Sequence, residues 1–235
     1  MNNKIKLCIL IALSVLLVFT SFLFVYTDKA YKTSAEALEF RPIIIIDPGH
    51  GGEDSGAISE INILEKNINL DISFILRDLF ISNGYDVVMT RETDTALYNK
   101  DETKHKKQSD LKNRVEVFNN SQNNIVISIH QNKFTEEKYN GTQVFYSANN
   151  KKSANLAESI KTSVVTLMQP ENKRECKRAG SEIYVLHNTM SPAVMVECGF
   201  LSNYAEAQKL NNKAYQTKLA YCIYLGFLEY YYTNY

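Results

Sequence analysis

The chain has 235 residues, 45% apolar and 22% charged, the proportions of a globular protein rather than a disordered one. Its 26 Lys and Arg balance 26 Asp and Glu, so the net charge is zero. That balance excludes an electrostatically driven nucleic-acid binder as the first reading. No repeat with a period of about 20–50 residues is visible, so a solenoid or propeller is not expected.

Lys4 and Lys6 precede an uncharged run, Cys8 to Thr27, rich in Ile, Leu, Val and Phe. About 20 such residues span a bilayer. A short basic flank before an apolar run reads as a signal peptide or signal anchor over residues 1–27, with the remainder exported. No small-x-small site follows at once, which favours an anchor over cleavage, and Cys8 lies too early for a lipobox. Residues 28–41 read as a polar linker and 42–235 as the folded domain. Without Lys4 and Lys6 that remainder is slightly acidic. Its three cysteines, Cys176, Cys198 and Cys222, cannot all pair within the chain and match no zinc-finger spacing. Buried free thiols are expected.

The first element is the run Ile43–Ile46, a β-branched strand ended by Asp47-Pro48-Gly49 and buried on both faces. Leu64–Ser82 has apolar residues at helical spacing and stops at Asn83-Gly84. Tyr85–Thr90 reads as a strand, residues 92–109 as a charged surface loop, and 110–120 as a helix capped by Ser109-Asp110. Ile125–Ile129 is a buried strand with His130 directly after it. Thr142–Ser147 alternates like an edge strand, Lys152–Met168 is helical, Ile183–Leu186 and Ala193–Val196 are short strands, and Ala205–Tyr231 is one long helix. Strands alternating with helices argue an α/β fold, an open and mainly parallel sheet with helices on both faces. Ligands in such sheets bind beyond the carboxyl ends of the strands.

Three strand ends carry the right chemistry: Asp47-Pro48-Gly49-His50-Gly51-Gly52-Glu53-Asp54, Ser128-Ile129-His130-Gln131-Asn132 and Val194-Met195-Val196-Glu197-Cys198-Gly199. Glu65 opens the first helix. Two His and one Glu with an open fourth position make a catalytic zinc site, so His50, Glu65 and His130 are the candidate ligands. Glu197 is the candidate proton carrier between water and a leaving nitrogen. His187, at a short strand end, is the rival ligand, and His105 is read as solvated. The Gly-His-Gly-Gly loop lacks both G-x-G-x-x-G spacing and a Gly-Lys-Ser/Thr ending, which argues against nucleotide binding. Cys198 has no adjacent His and is read as inert rather than nucleophilic.

These stretches resemble the zinc-dependent N-acetylmuramoyl-L-alanine amidases, the type 3 amidase family. The resemblance rests on Ile45–Gly52 with Gly56-Ala57, on Thr90-Arg91 with Leu111, Arg114 and Asn119, on Ser128–His130 with Asn132, and on Pro192–Asn203. It covers residues 42–232. It implies a sheet of about six strands, zinc (Zn²⁺) held by His50, Glu65 and His130, and Glu197 as general acid/base. It implies hydrolysis of the amide between N-acetylmuramic acid and L-alanine of peptidoglycan. A short, membrane-anchored catalytic domain is similar to the germination-specific amidases of spore formers, which prepare spore cortex for muramic-δ-lactam formation by a deacetylase. An accessory protein and that downstream deacetylase are the further partners considered. The alternatives are a vegetative autolysin of the same activity, a zinc peptidase cutting within the stem, and a non-catalytic wall-binding module.

Overall fold

The computed structural model describes residues 2–39 and 41–234. It divides into two units, residues 1–41 and 42–235. In the first, helix α1 runs Asn3–Glu39. Ile9–Thr27 has a mean hydropathy of 2.6, long and apolar enough to cross a membrane. The helix continues through residues 28–39, the stretch read as a linker; Phe40 and Tyr235 lie outside the described residues.

The second unit is a six-stranded sheet in the order β2-β1-β3-β6-β4-β5. The strands are β1 (Ile43–Pro48), β2 (Val87–Met89), β3 (Asn124–Asn132), β4 (Gln143–Tyr146), β5 (Lys177–Arg178) and β6 (Ala193–Phe200). β2, β1, β3 and β6 are parallel, β4 is antiparallel to β6, and β5 is parallel to β4. Helices α2 (Glu65–Ser82), α3 (Lys106–Phe118), α4 (Lys152–Leu167), α5 (Tyr184–Asn188), α6 (Tyr204–Leu210) and α7 (Lys213–Asn234) complete it.

The chain leaves β1 toward β2 through α2, then returns past β1 to β3 through α3. Right-handed crossovers in opposite directions place the two helices on opposite faces. The core is accordingly split. Ile44, Ile46, Ile127 and Val194 pack with Ile72, Leu76, Phe80, Ile160, Ile223 and Phe227 of α2, α4 and α7. Ile45, Val126 and Met195 pack on the other face with Phe118, Val185 and Leu186 of α3 and α5. The reversal of direction between β1 and β3 opens a crevice at their carboxyl ends.

Five expectations are corrected. The third helix begins at Lys106, not at 110: Asp110 accepts from Leu97 N and Arg114 Nε, and Ser109 Oγ from Asn99 N, so neither caps it. β4 is not an edge, because β5 pairs outside it. The run Ile183–Leu186 is the start of α5 rather than a strand, since a short apolar run fits either state and here Val185 and Leu186 face the core. The long final helix is broken at Asn211-Asn212, where Asn212 Oδ1 accepts from Ala214 N and Tyr215 N and starts α7 afresh. His130 and Glu197 lie within β3 and β6 rather than after them.

Candidate active site

β3 and β6 are in register with His130 opposite Glu197, which sets both side chains at one level of the sheet. One level back, Asp47 of β1 stands opposite Ser128, and Ser128 Oγ donates to Asp47 Oδ2 at 2.7 Å. His50 follows β1 with a positive φ of 62°. Glu65, the first residue of α2, reaches back under the loop. The structure therefore brings His50, Glu65 and His130 together, one ligand atom from each lying within 4.8 Å of the others. Glu65 Oε1 is 3.1 Å from His50 Nε2 and 2.9 Å from His130 Nδ1.

Two glycines make room for this. A Cβ on Gly49 would lie 2.2 Å from the His130 ring. A Cβ on Gly56, itself at φ +63°, would lie 2.5 Å from Glu65 Oε2 and 2.7 Å from His50 Cδ2.

The three candidate ligands are aimed by partners of their own. Asp54 Oδ2 is 2.9 Å from His50 Nδ1, leaving Nε2 to face the centre. Ala57 N donates to Glu65 Oε2, and Gln131 N and Asn69 Nδ2 donate to Oε1. Gln131 Nε2 in turn donates to Asn69 Oδ1. Burial works against ionisation of Glu65, but hydrogen bonds to His130 and His50 outweigh it and hold the carboxyl far below its usual range. Burial also opposes a charge on His50, yet Asp54 and Glu65 push it up to about 9.

Two buried arginines fix the loop that carries His50. Arg114 NH1 binds Asp47 Oδ1 at 2.5 Å and Pro48 O at 3.0 Å, and its NH2 binds His50 O at 2.8 Å. Arg91 Nε and NH2 bind Pro48 O and Gly49 O, each at 3.0 Å. The planar fork of an arginine suits such paired acceptors. Asn119, of the same stretch, serves elsewhere: it accepts from Met190 N and Thr189 Oγ1.

Glu197 Oε2 is buried without a hydrogen-bond partner among the described residues. Burial pushes this carboxyl up to about 7; the opposing pull of His130 is smaller. His187, the rival ligand, lies on α5 outside the group, and His105 is exposed as expected. Cys176, Cys198 and Cys222 are free, and burial raises the Cys198 thiol well above its ordinary range. Sequence reasoning missed Asp54, Asn69 and Gln131. Asp54 and Gln131 stand in the strand-end stretches but carry no role there, and Asn69 is marked only by its spacing of one helical turn from Glu65.

Two imidazoles and a carboxylate around an open position match the donor set of a catalytic zinc site. The orphaned Glu197 oxygen beside them is a candidate proton carrier. The arrangement suits metal-assisted attack of water on a carbonyl.

The family model described as N-acetylmuramoyl-L-alanine amidase (Amidase_3) matches residues 44–229. The chain is 38% identical over 192 residues to the germination-specific N-acetylmuramoyl-L-alanine amidase of Bacillus subtilis (strain 168), covering 80% of this chain and 79% of that protein. It is similar to the CwlD amidase from Clostridioides difficile, solved in complex with the GerS lipoprotein. That match has a TM-score of 0.79 at 39% identity, and covers 83% of this chain and 100% of that one. An N-acetylmuramoyl-L-alanine amidase from Clostridium difficile 630 matches at TM-score 0.71 and 30% identity, covering 83% and 98%.

Proposed function

The chain belongs to the N-acetylmuramoyl-L-alanine amidase family, and from that premise we propose that this peptidoglycan amidase works with zinc held by His50, Glu65 and His130. The observation that carries the reading is the convergence of those three donors beside the unpartnered Glu197 oxygen. Zinc, when bound, polarises the amide carbonyl and acidifies the attacking water. Glu197 takes the proton from that water and delivers it to the leaving nitrogen of L-alanine, while the lactyl carbonyl of muramic acid becomes a carboxylate. A carboxyl that burial raises from its ordinary range and that keeps an unpartnered oxygen is suited to both transfers. Asp54 positions His50, and the Asn69–Gln131 pair positions Glu65.

The biological setting is read from the relatives. A germination-specific amidase and a lipoprotein-bound amidase are among the similar proteins. We therefore place this chain in spore cortex maturation, upstream of the deacetylase that completes muramic-δ-lactam, with an accessory protein as partner. The apolar stretch Ile9–Thr27 supports a membrane anchor or signal, with residues 42–235 acting outside the cytoplasmic membrane. Spores made with Glu197→Gln are expected to lack muramic-δ-lactam. Normal lactam with failed separation of growing cells would assign the enzyme to the vegetative wall instead.

A further inference from the structure

The cleft that holds His50 and His130 extends over the face of the sheet covered by α3 and α5 and encloses about 290 Å³. Leu111, Val185 and Met195 give it an apolar lining. Charges of both signs also line it, and most are committed to the fold. Asp47 is bound by Arg114 and Ser128, Asp110 by Arg114 and Leu97 N, and Asp54 by His50. Two charges at the cleft are less engaged. Lys107, in the first turn of α3, is exposed and makes a 3.4 Å contact with Asp54. Glu182, exposed in the loop that leads into α5, accepts only the Gly180 N–H at 3.1 Å among the described residues.

An apolar lining with one available cation and one available anion suits a zwitterionic ligand. The two halves of the substrate differ in this respect. N-acetylated sugars carry no charge, whereas the stem peptide carries carboxylates and, at its diamino acid, an ammonium group. We infer that this cleft is the stem-peptide subsite, with Glu182 receiving the side-chain ammonium of the diamino acid and Lys107 facing a stem carboxylate. The inference rests on the amidase reading and adds to it the direction of the substrate: the peptide leaves the scissile amide over α3 and α5. Glu182 is thereby a specificity residue for stems with a free amine.

The test uses the full chain in detergent micelles, loaded with zinc, and titration calorimetry with the tripeptide L-Ala-γ-D-Glu-L-Lys and its Nε-acetyl form. Loss of one charge-assisted hydrogen bond at an exposed site corresponds to about five- to tenfold in affinity. Acetylation is expected to weaken binding to the native chain by that factor, and Glu182→Gln is expected to bind the two peptides within about twofold of each other. The inference is overturned if the native chain binds neither peptide, binds both equally, or if Glu182→Gln keeps the native discrimination. Release of stem peptides from peptidoglycan by the native chain is measured in parallel. Release without discrimination refutes only the subsite, whereas shortened stems still joined to muramic acid refute the amidase reading itself.

Discussion

A buried carboxylate oxygen without a partner costs free energy unless it has a use, and Glu197 Oε2 is such an atom. The proposed use predicts that Glu197→Gln keeps stoichiometric zinc but loses roughly 10²–10⁴-fold in kcat. A near-native rate would remove Glu197 from the proton-transfer role. Asp54 aims His50 through Oδ2 while its Oδ1 accepts from Gly56 N, so Asp54→Asn is expected to weaken zinc affinity by about 10–100-fold in a competitive chelator titration. Unchanged affinity would show that His50 needs no such orientation. Residue type at a strand end makes His50, His130 and Glu197 legible in the sequence. Asp54, Asn69 and Gln131 are not legible there, because a polar residue in a loop or helix looks like any solvated one until the fold turns it inward.

At the scale of elements, β1 is joined to α3 and β3 through one carboxylate. Asp47, 1% exposed, takes Arg114 from α3, Ser128 from β3 and Thr90 from the end of β2. Burial alone would raise its pKa, but Arg114 and the two hydroxyls together hold it below the ordinary 3.8. Since the folded state binds fewer protons there than the unfolded one, the contribution is present above 3.8 and is lost as pH falls below it. Asp47→Asn leaves the buried Arg114 with Asp110 as its remaining carboxylate and is expected to cost about 2–3 kcal/mol near neutral pH, less than for a charge left with no partner. In urea melts the gap to the native chain should shrink as pH falls from about 5 toward 2. A gap independent of pH would mean that Asp47 acts through packing alone. The same scale shows what sequence patterns can carry. The runs Ile43–Ile46 and Ile125–Ile129 are β-branched, apolar and bounded by turns, and both are central strands. The run Ile183–Leu186 has similar composition, yet packing against Phe118 and Met195 makes it helical. The break at Asn212 depends on a side-chain cap that a helical apolar pattern running past it conceals.

For the whole molecule, the sheet order places β1, β3 and β6 side by side, so residues 50, 130 and 197 converge although they are far apart in the chain. That convergence follows from the rule for open α/β sheets; the crossing of α3 to the opposite face, which creates the peptide cleft, shows in no local pattern. The two-unit division predicts that the full chain sediments with membranes and is released by detergent but not by high salt, while residues 42–235 alone stay in the soluble fraction. Release of the full chain by salt alone would mean that the apolar stretch is not inserted.

Zinc-dependent amide cleavage is tested most directly by mass spectrometry of purified peptidoglycan after incubation with the full chain in detergent, with zinc and after chelation. Stem peptides with a new L-alanine amino terminus are expected beside glycan bearing a free lactyl carboxylate, both dependent on zinc. Shortened stems still joined to muramic acid, or amide cleavage that survives complete removal of metal, would contradict the assignment.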